Sequence, residues 1–279
     1  MLVVTGASGF LGRALVARAA ARGLPVTAVS RQPLSAVPGV RAIRVEDYSQ
    51  LQLSVPDTVL IHLAEEADIA KASALGEDHI ARTQGAFAAL VAKGWKHVVY
   101  ASSGVVYGDK ETYPRREDEP VYPEGVYGRA KRACEEIAVA VRGTALRLGN
   151  VYGAGMPRRV VMSDIIENIH ATGPLRLHDL SVVRDFIHVD DVADGFLAAA
   201  QRKPAGIHNL ASGTGTSVAA LGKIALAAAG QQGRAIEQIA AVSGPSQITL
   251  DVTRIRQATG WQSQIDLETG LGRLVKERR

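Results

Sequence analysis

The sequence predicts an α/β protein: a doubly wound parallel sheet followed by a smaller C-terminal α/β lobe. Three observations lead there. Short β-branched runs alternate with helical spacing from Met1 to Asn150. A glycine-rich turn separates the first such run from the first helix. Beyond Asn150 the alternation loosens, and Pro and Gly become frequent between Gly153 and Pro174. Strands and helices alternating at this spacing place helices on both faces of a parallel sheet. A chain of 279 residues is long enough for a main domain with a second lobe.

The elements follow in order. Leu2–Thr5 is a β-branched run ending in glycine, and Leu11–Arg22 carries Ala, Leu and Val on one side before Gly23 stops it. Pro25–Ser30, Val40–Val45 and Thr58–Leu63 read as the next three strands. Ala74–Lys93 reads as one long helix closed by Gly94. His97–Ala101 is a fifth strand, Tyr127–Val141 a helix and Thr144–Leu148 a sixth strand. In the second half, Val182–Val189 is strand-like, and Val192–Gln201 and Val218–Ala229 read as helices. We expect residues 1–150 to form the main domain, with a return at 185–202. Residues 151–184 and 203–279 are expected in the smaller lobe.

Composition narrows the class. Apolar residues at 47% and charged residues at 22% exclude a disordered chain. The net charge of +4 fits attraction of a small anion such as a diphosphate. Lys and Arg are scattered rather than gathered in a stripe, so no nucleic-acid partner is expected. Cys134 is the single cysteine, which rules out an internal disulfide and a cysteine-rich metal site. No run approaches the length of a membrane span, and no basic-then-apolar leader precedes the first strand. A cytoplasmic protein with no membrane partner is the expectation.

The turn Thr5-Gly6-Ala7-Ser8-Gly9-Phe10-Leu11-Gly12 carries the first chemistry. Gly6 permits the tight turn, Gly9 lets backbone approach a pyrophosphate, and Gly12 lets helix and strand pack closely. The helix N-terminus then presents free N–H groups to an anion. A glycine-rich turn without a ligand is the competing reading. At the first strand-to-helix turn of an alternating chain, the dinucleotide reading prevails, and the main domain is expected to be of Rossmann type. The end of the second strand should read the adenosine ribose. An acid there suits NAD, whereas Arg suits the 2′-phosphate of NADP. The residues are Ser30-Arg31, so NADP is favoured over NAD. The alternative for Arg31 is a solvated loop charge.

Tyr127 and Lys131 stand four residues apart, one helical turn. An ammonium beside a phenol favours the phenolate, and such a tyrosine moves a proton while hydride moves at carbon. The spacing alone is common. Ser102-Ser103, after the fifth strand, add a hydroxyl at the carboxyl edge, where open α/β sheets bind ligands. Ser103 is the candidate to face substrate, with Ser102 nearer the cofactor or backbone.

Thr5–Gly12, His62-Leu63-Ala64, Ser102–Gly108, Tyr127–Lys131, Arg147–Gly153 and Arg184–Asp191 stand in an order that resembles the extended short-chain dehydrogenase/reductases: NAD(P)-dependent nucleotide-sugar epimerases, dehydratases and ketoreductases. The resemblance covers nearly the whole chain. It implies Ser103, Tyr127 and Lys131 as catalytic residues. It implies Gly6, Ser8, Gly9, Phe10, Leu11, Gly12, Ser30, Arg31, Asp47, Tyr48, Leu63, Ala64, Tyr127 and Lys131 as cofactor-binding, with Asp47-Tyr48 flanking the adenine. Asn150 and Arg184 are implied at the substrate diphosphate, with Ser103 at the sugar. A guanidinium pairs well with phosphate, although a salt bridge is the competing role for Arg184. A homodimer joined through two long helices per subunit is also implied.

Other residues receive plainer readings. His188 with Asp190 and Asp191 could suggest a metal, but the acids are expected to cap a helix beginning near Val192, and no metal is expected. His62 is expected to be a satisfied core histidine, Trp95 and Trp261 packing residues, and Cys134 buried and inert. The chain also departs from the family pattern. Gly104 and Val105 replace the acids that dehydratases carry after the catalytic hydroxyl, which argues against 4,6-dehydration. Glu65 replaces the usual small residue after His-Leu-Ala, and His79–Gly85 lacks the usual asparagine-rich pattern although Thr83 fits. The expected activity is oxidoreduction at C4 of a nucleotide-diphosphate sugar, as a 4-epimerase or a 4-ketoreductase. Reduction of a non-sugar carbonyl and a non-catalytic NADP-binding regulatory role are the alternatives.

Overall fold

The computed structural model describes every residue except 54–56, 67, 159, 241–243 and 279. In chain order the first half runs β1 (Leu2–Thr5), α1 (Phe10–Ala21), β2 (Val26–Ser30), β3 (Val40–Arg44), β4 (Val59–His62), α2 (Ile69–Leu75), α3 (Glu77–Val91), β5 (His97–Ser103), α4 (Gly125–Ala140) and β6 (Thr144–Leu148). The second half runs β7 (Asn150–Tyr152), α5 (Val161–Asn168), β8 (Leu175–Leu177), β9 (Val183–His188), α6 (Val189–Arg202), β10 (Gly206–Leu210), β11 (Gly215–Ser217), α7 (Val218–Ala228), β12 (Ile236–Gln238), β13 (Gln247–Ile248), α8 (Thr253–Thr259) and α9 (Leu267–Glu277).

Among the described residues the main sheet has seven strands in the order β10-β6-β5-β4-β1-β2-β3, and each pair is parallel. All seven therefore end at one edge. Successive side chains of a strand point to opposite faces, and both faces are covered. Val4, Ile61, Val99 and Leu146 pack under α1 and α6. Val3, Leu60, Val98 and Ala145 pack under α3 and α4. Burial on both faces is why these strands read as continuous apolar runs instead of alternating ones. The smaller lobe has its own core, with Met162, Ile165, Leu221 and Leu271 between α5, α7 and α9. Its strands are the group β7, β9, β11 and β13 and the pair β8–β12.

The structure changes three sequence-based expectations. The helix expected over Ala74–Lys93 is two helices, broken where Gly76 takes φ 64°. Helix α6 begins at Val189, three residues before the expected start. Its cap is the His188 ring, which accepts from the Asp190 N–H, and not an acid. Asp191 instead accepts from the Gln264 and Ile265 N–H groups and ties down the C-terminal segment. Third, residues 203–279 do not all lie in the smaller lobe. β10 is an edge strand of the main sheet, beside β6. Its polar residues disguise it: Asn209 is fully buried, receives the Tyr107 hydroxyl, and donates to the Arg115 and Asp251 carbonyls.

Asp185 on β9 holds the two lobes at one point. Its carboxylate accepts from the Ser212 N–H at 2.8 Å and hydroxyl at 2.6 Å, the Gly213 N–H at 3.0 Å and the Leu250 N–H at 3.3 Å. Burial pushes Asp185 up to about 6 against the pull of these donors. Asp185→Ala should therefore strip the acceptor from three backbone N–H groups and cost roughly 2–4 kcal/mol of stability. Denaturant unfolding of the two proteins checks this, and an unchanged midpoint would contradict it.

Candidate active site

A cleft of about 640 Å³ runs along the carboxyl edge of the main sheet, between it and the smaller lobe. At one end stands the glycine loop. Gly6 adopts φ 73°, and a Cβ there would lie 2.8 Å from the Leu63 carbonyl and 2.9 Å from Ala64 Cα. A Cβ on Gly12 would collide with the Gly6 carbonyl oxygen. The loop thus folds flat against the end of β4, and only glycine permits it. Gly9 caps α1 without a side-chain hydrogen bond, and the first turn of α1 holds no acid. The N–H groups of that turn remain available to an anion. This donor set and the two glycine cradles fit the pyrophosphate of a dinucleotide.

Gly6, Gly9, Phe10, Leu11, Gly12 and Leu63 line the cleft. Ser8, Ser30, Arg31, Asp47, Tyr48 and Ala64 lie outside that lining. Ala64 backs the glycine loop. The Ser30 hydroxyl donates to Ser8 Oγ at 2.6 Å and itself accepts from the Gln32 N–H. The Arg31 guanidinium lies 5.8 Å from the centre of the Tyr48 ring, and the Arg44 side chain donates to the Arg31 carbonyl. Asp47 caps a single turn through the Ser49 N–H. Arginines rather than acids therefore surround the end of β2.

Tyr127, Lys131 and Ser103 all line the cleft. Helix α4 lies across β5, and the Lys131 ammonium donates to the Ala101 carbonyl at 2.8 Å. The ammonium stands 5.6 Å from the Tyr127 ring centre and 5.2 Å from that of Tyr100. Ser103 ends β5, and its hydroxyl accepts from the Val105 N–H at 3.3 Å. Gly104 and Val105 follow it along the cleft, so no carboxylate stands directly after the serine.

Glu65 is the feature that the sequence marked only as a departure. Its Oε2 lies 2.7 Å from Lys131 Nζ, with the two side chains 7% and 9% exposed. The Tyr100 hydroxyl donates to the same oxygen at 2.9 Å. Burial alone would raise the Glu65 carboxyl, but Lys131 and His62 hold it below the usual carboxylate range. Burial likewise lowers the Lys131 ammonium, and Glu65 more than offsets this, leaving the group above its ordinary value. Both sides of the pair are therefore charged.

A second buried pair went unread. Glu135, fully buried, takes Arg147 Nε and Nη2 at 2.8 Å each and the Ser102 hydroxyl at 2.6 Å. The Ser102 hydroxyl is therefore engaged by a carboxylate, while the residue itself lines the cleft. Glu135 stands one turn beyond Lys131 on the same helix face, which is the sequence signal that could have found it.

Asn150, exposed at the start of β7, and Arg184, on β9, also line the cleft. Arg184 is partly tied: it donates to the Ser246 hydroxyl at 2.8 Å and the Ser246 carbonyl at 3.0 Å, and stands 3.5 Å from Asp109. Asp109 also accepts from the Ser246 hydroxyl. Burial lowers the guanidinium somewhat and Asp109 opposes this. His62 is buried, pairs with Thr5 through Nδ1 at 2.8 Å, and stacks on Phe87, as a core histidine would. Trp261 is buried and donates to the Asp191 carbonyl. Cys134 is buried, and burial pushes its thiol up.

Comparison with known proteins agrees with this geometry. The family model described as the NAD dependent epimerase/dehydratase family matches residues 2–211. The chain is 28% identical over 291 residues to a dTDP-6-deoxy-L-talose 4-dehydrogenase (NAD(P)(+)) of Kitasatospora kifunensis, covering 93% of this chain and 90% of that one. It is 29% identical over 312 residues to a UDP-glucose 4-epimerase of Mycolicibacterium smegmatis, covering 98% and 97%. A putative UDP-glucose 4-epimerase of Methanocaldococcus jannaschii is 32% identical over 189 residues, covering 64% of this chain and 61% of its own length. Among solved structures, MoeE5 in complex with UDP-glucuronic acid and NAD superposes with a TM-score of 0.82 at 27% identity, covering 100% of this chain and 99% of that one. The chain belongs to the NAD dependent epimerase/dehydratase family and is an enzyme of the extended short-chain dehydrogenase/reductase type.

Proposed function

We propose that the protein catalyses NADP-dependent oxidoreduction at C4 of a nucleoside-diphosphate sugar, working as a 4-ketoreductase. The observation that carries this reading is the shared cleft. The glycine loop, Ser103, Tyr127, Lys131, Asn150 and Arg184 all line the same cleft, and the strand order β6-β5-β4-β1 separates the glycine loop after β1 from Ser103 on β5 and Asn150 after β6. That order suits a dinucleotide at one end, a reacting carbon in the middle and a sugar diphosphate at the other.

The nicotinamide, when bound, supplies or receives the hydride. The protein's part is to place the sugar and move the proton. The Tyr127 hydroxyl gives its proton to the C4 oxygen as hydride reaches the carbon, and the ketone becomes a secondary alcohol. The Lys131 ammonium stands 5.6 Å from the centre of the Tyr127 ring, beside the oxygen that gives up the proton. Ser103 donates to the same C4 oxygen and holds it toward Tyr127. Arg184 and Asn150 take the diphosphate, where a guanidinium offers a bidentate grip. Gly104 and Val105 directly after Ser103 carry no acid or base, which argues against 4,6-dehydration.

Arg31 after β2 and Arg44 at the end of the neighbouring β3, with no acid at Ser30 or Arg31, support NADP over NAD. The 4-dehydrogenase relative is named for NAD(P)(+), which covers both cofactors. A 4-epimerase is the second reading, favoured by the UDP-glucose 4-epimerases among the relatives. It needs the same residues, with the 4-keto sugar turning over before hydride returns. The outer faces of α3 and α4 are the proposed contact of a homodimer.

The test is to follow NADPH oxidation with 4-keto nucleotide sugars, alongside interconversion of UDP-glucose and UDP-galactose. NADPH-dependent reduction supports the ketoreductase. Interconversion without net NADPH use would make the enzyme an epimerase, and activity only on simple ketones would overturn the sugar assignment. In the active direction, Tyr127→Phe should reduce kcat roughly 10²–10⁴-fold while NADPH still binds. Near-normal turnover by that variant would contradict the proton-transfer role. Arg31→Ala should weaken NADPH binding about tenfold and leave NADH unchanged, as fluorescence titration would show. Equal effects on both cofactors would contradict recognition of the 2′-phosphate.

A further inference from the structure

The cation that stands beside Tyr127 is cancelled by a buried anion. Glu65 Oε2 lies 2.7 Å from Lys131 Nζ, with the two side chains 7% and 9% exposed. Charges kept from water act strongly on their surroundings and are little screened by salt. Two further hydrogen bonds fix the pair. The Tyr100 hydroxyl donates to the same Glu65 oxygen at 2.9 Å, and Lys131 donates to the Ala101 carbonyl at 2.8 Å. The groups packed around the pair add no charge of their own. Burial lowers His62 to about 4, so its ring is neutral at pH 7. Burial raises the Tyr100 hydroxyl and the Cys134 thiol, which keeps both neutral. The other charged residues of the cleft lining are paired as well, Arg184 with Asp109 at 3.5 Å and Glu124 with Lys110 at 2.9 Å.

A nicotinamide ring is cationic when oxidised and neutral when reduced. Hydride passes between that ring and the carbon whose oxygen takes the Tyr127 proton, so the ring works on the Tyr127 side of the cleft, within the field of Lys131. A lone ammonium there would repel the oxidised ring and favour the reduced one. We propose that Glu65 sets the balance between the two forms of the cofactor: by cancelling the Lys131 charge it lets the oxidised and reduced nicotinamides bind with nearly equal affinity. This rests on the cofactor reading of the cleft given above. A small residue in place of Glu65 would leave the ammonium without its counter-ion. Glu65 acts through Lys131, so it is a positioning residue rather than a catalytic one. Its consequence is that the bound couple keeps a potential close to that of the free couple. The net charge of the pair then opposes hydride transfer in neither direction.

The test reads one ratio, the Kd of the oxidised cofactor over the Kd of the reduced cofactor. Calorimetric titration of the full chain at pH 7 without substrate supplies both values, using whichever of the NADP and NAD couples the wild type binds more tightly. The wild-type ratio should lie within about threefold of one. Glu65→Gln keeps the shape and an acceptor for Lys131 and Tyr100 but removes the anion. Its ratio should rise about tenfold over wild type, which raises the potential of the bound couple by about 30 mV. Glu65→Met combined with Lys131→Met removes both charges at similar volume, a replacement that buried ion pairs commonly tolerate. Affinity for both forms falls with the loss of Lys131, but their ratio should stay within about threefold of wild type. A purely structural role for Glu65 would weaken both forms alike and leave the E65Q ratio unmoved. That result would overturn the inference, as would a lowered ratio in E65Q. So would a wild-type ratio more than about tenfold from one, or a double variant whose ratio departs about tenfold from wild type. The wild type and the double variant decide the matter even where E65Q does not fold. Failure of the wild type to bind either couple would instead remove the cofactor reading itself, and the inference with it.

Discussion

Helix α4 can present Tyr127 and Lys131 to the cleft only if it does not rotate about its axis, and Glu135 is what prevents rotation. Tyr127, Lys131 and Glu135 recur at four-residue intervals and share one face of the helix. The last of them is clamped to Arg147 on β6 by two hydrogen bonds and to Ser102 on β5 by a third. Helix and sheet are thus locked at a point one turn from the lysine and two from the tyrosine. Removing either partner of such a buried pair leaves an uncompensated charge, so the clamp has no half-engaged state of comparable energy. Ser103, next to Ser102 on β5, inherits the same registration.

The parallel sheet supplies the other constraint. Because all strands end at one edge, the glycine loop after β1, Glu65 after β4, Ser103 at the end of β5 and Asn150 after β6 are brought into line. Their order in space is not their order in sequence: the strand sequence β6-β5-β4-β1 places the latest segment farthest from the glycine loop. The charged groups at this edge are buried against one another, Lys131 with Glu65 and Arg147 with Glu135. The cationic group near Tyr127 is therefore held in position by an anion.

The main sheet and the glycine loop were legible because each rests on local spacing, and Ser103, Tyr127 and Lys131, which the family resemblance implies, all line the cleft. Strand runs, glycines at a turn and an i, i+4 pair are all visible within a few residues. The sequence did not reveal partners brought together by the fold. Glu135 and Arg147 are twelve residues apart on different elements. Arg184 and Asp109 are separated by 75 residues. β10 escaped assignment to the main sheet because Asn209 and His208 interrupt its apolar pattern, and their burial depends on loops that come from elsewhere. Gly76 was read through as helix interior because the residues on either side are good helix formers. Its positive φ, which glycine adopts freely, separates the two helices. Glu65 was visible as an unusual residue, but its meaning required the lysine it meets.

The central claim is that one wall of the cleft brings the hydride donor to C4 of a nucleotide sugar. It is tested most directly by supplying stripped enzyme with a 4-keto nucleotide sugar and NADPH deuterated at its hydride-donating carbon, then locating the label by NMR. The account predicts one deuterium at C4 of the product, with the sugar otherwise unlabelled. Product without deuterium at C4, or label at another carbon, would contradict it.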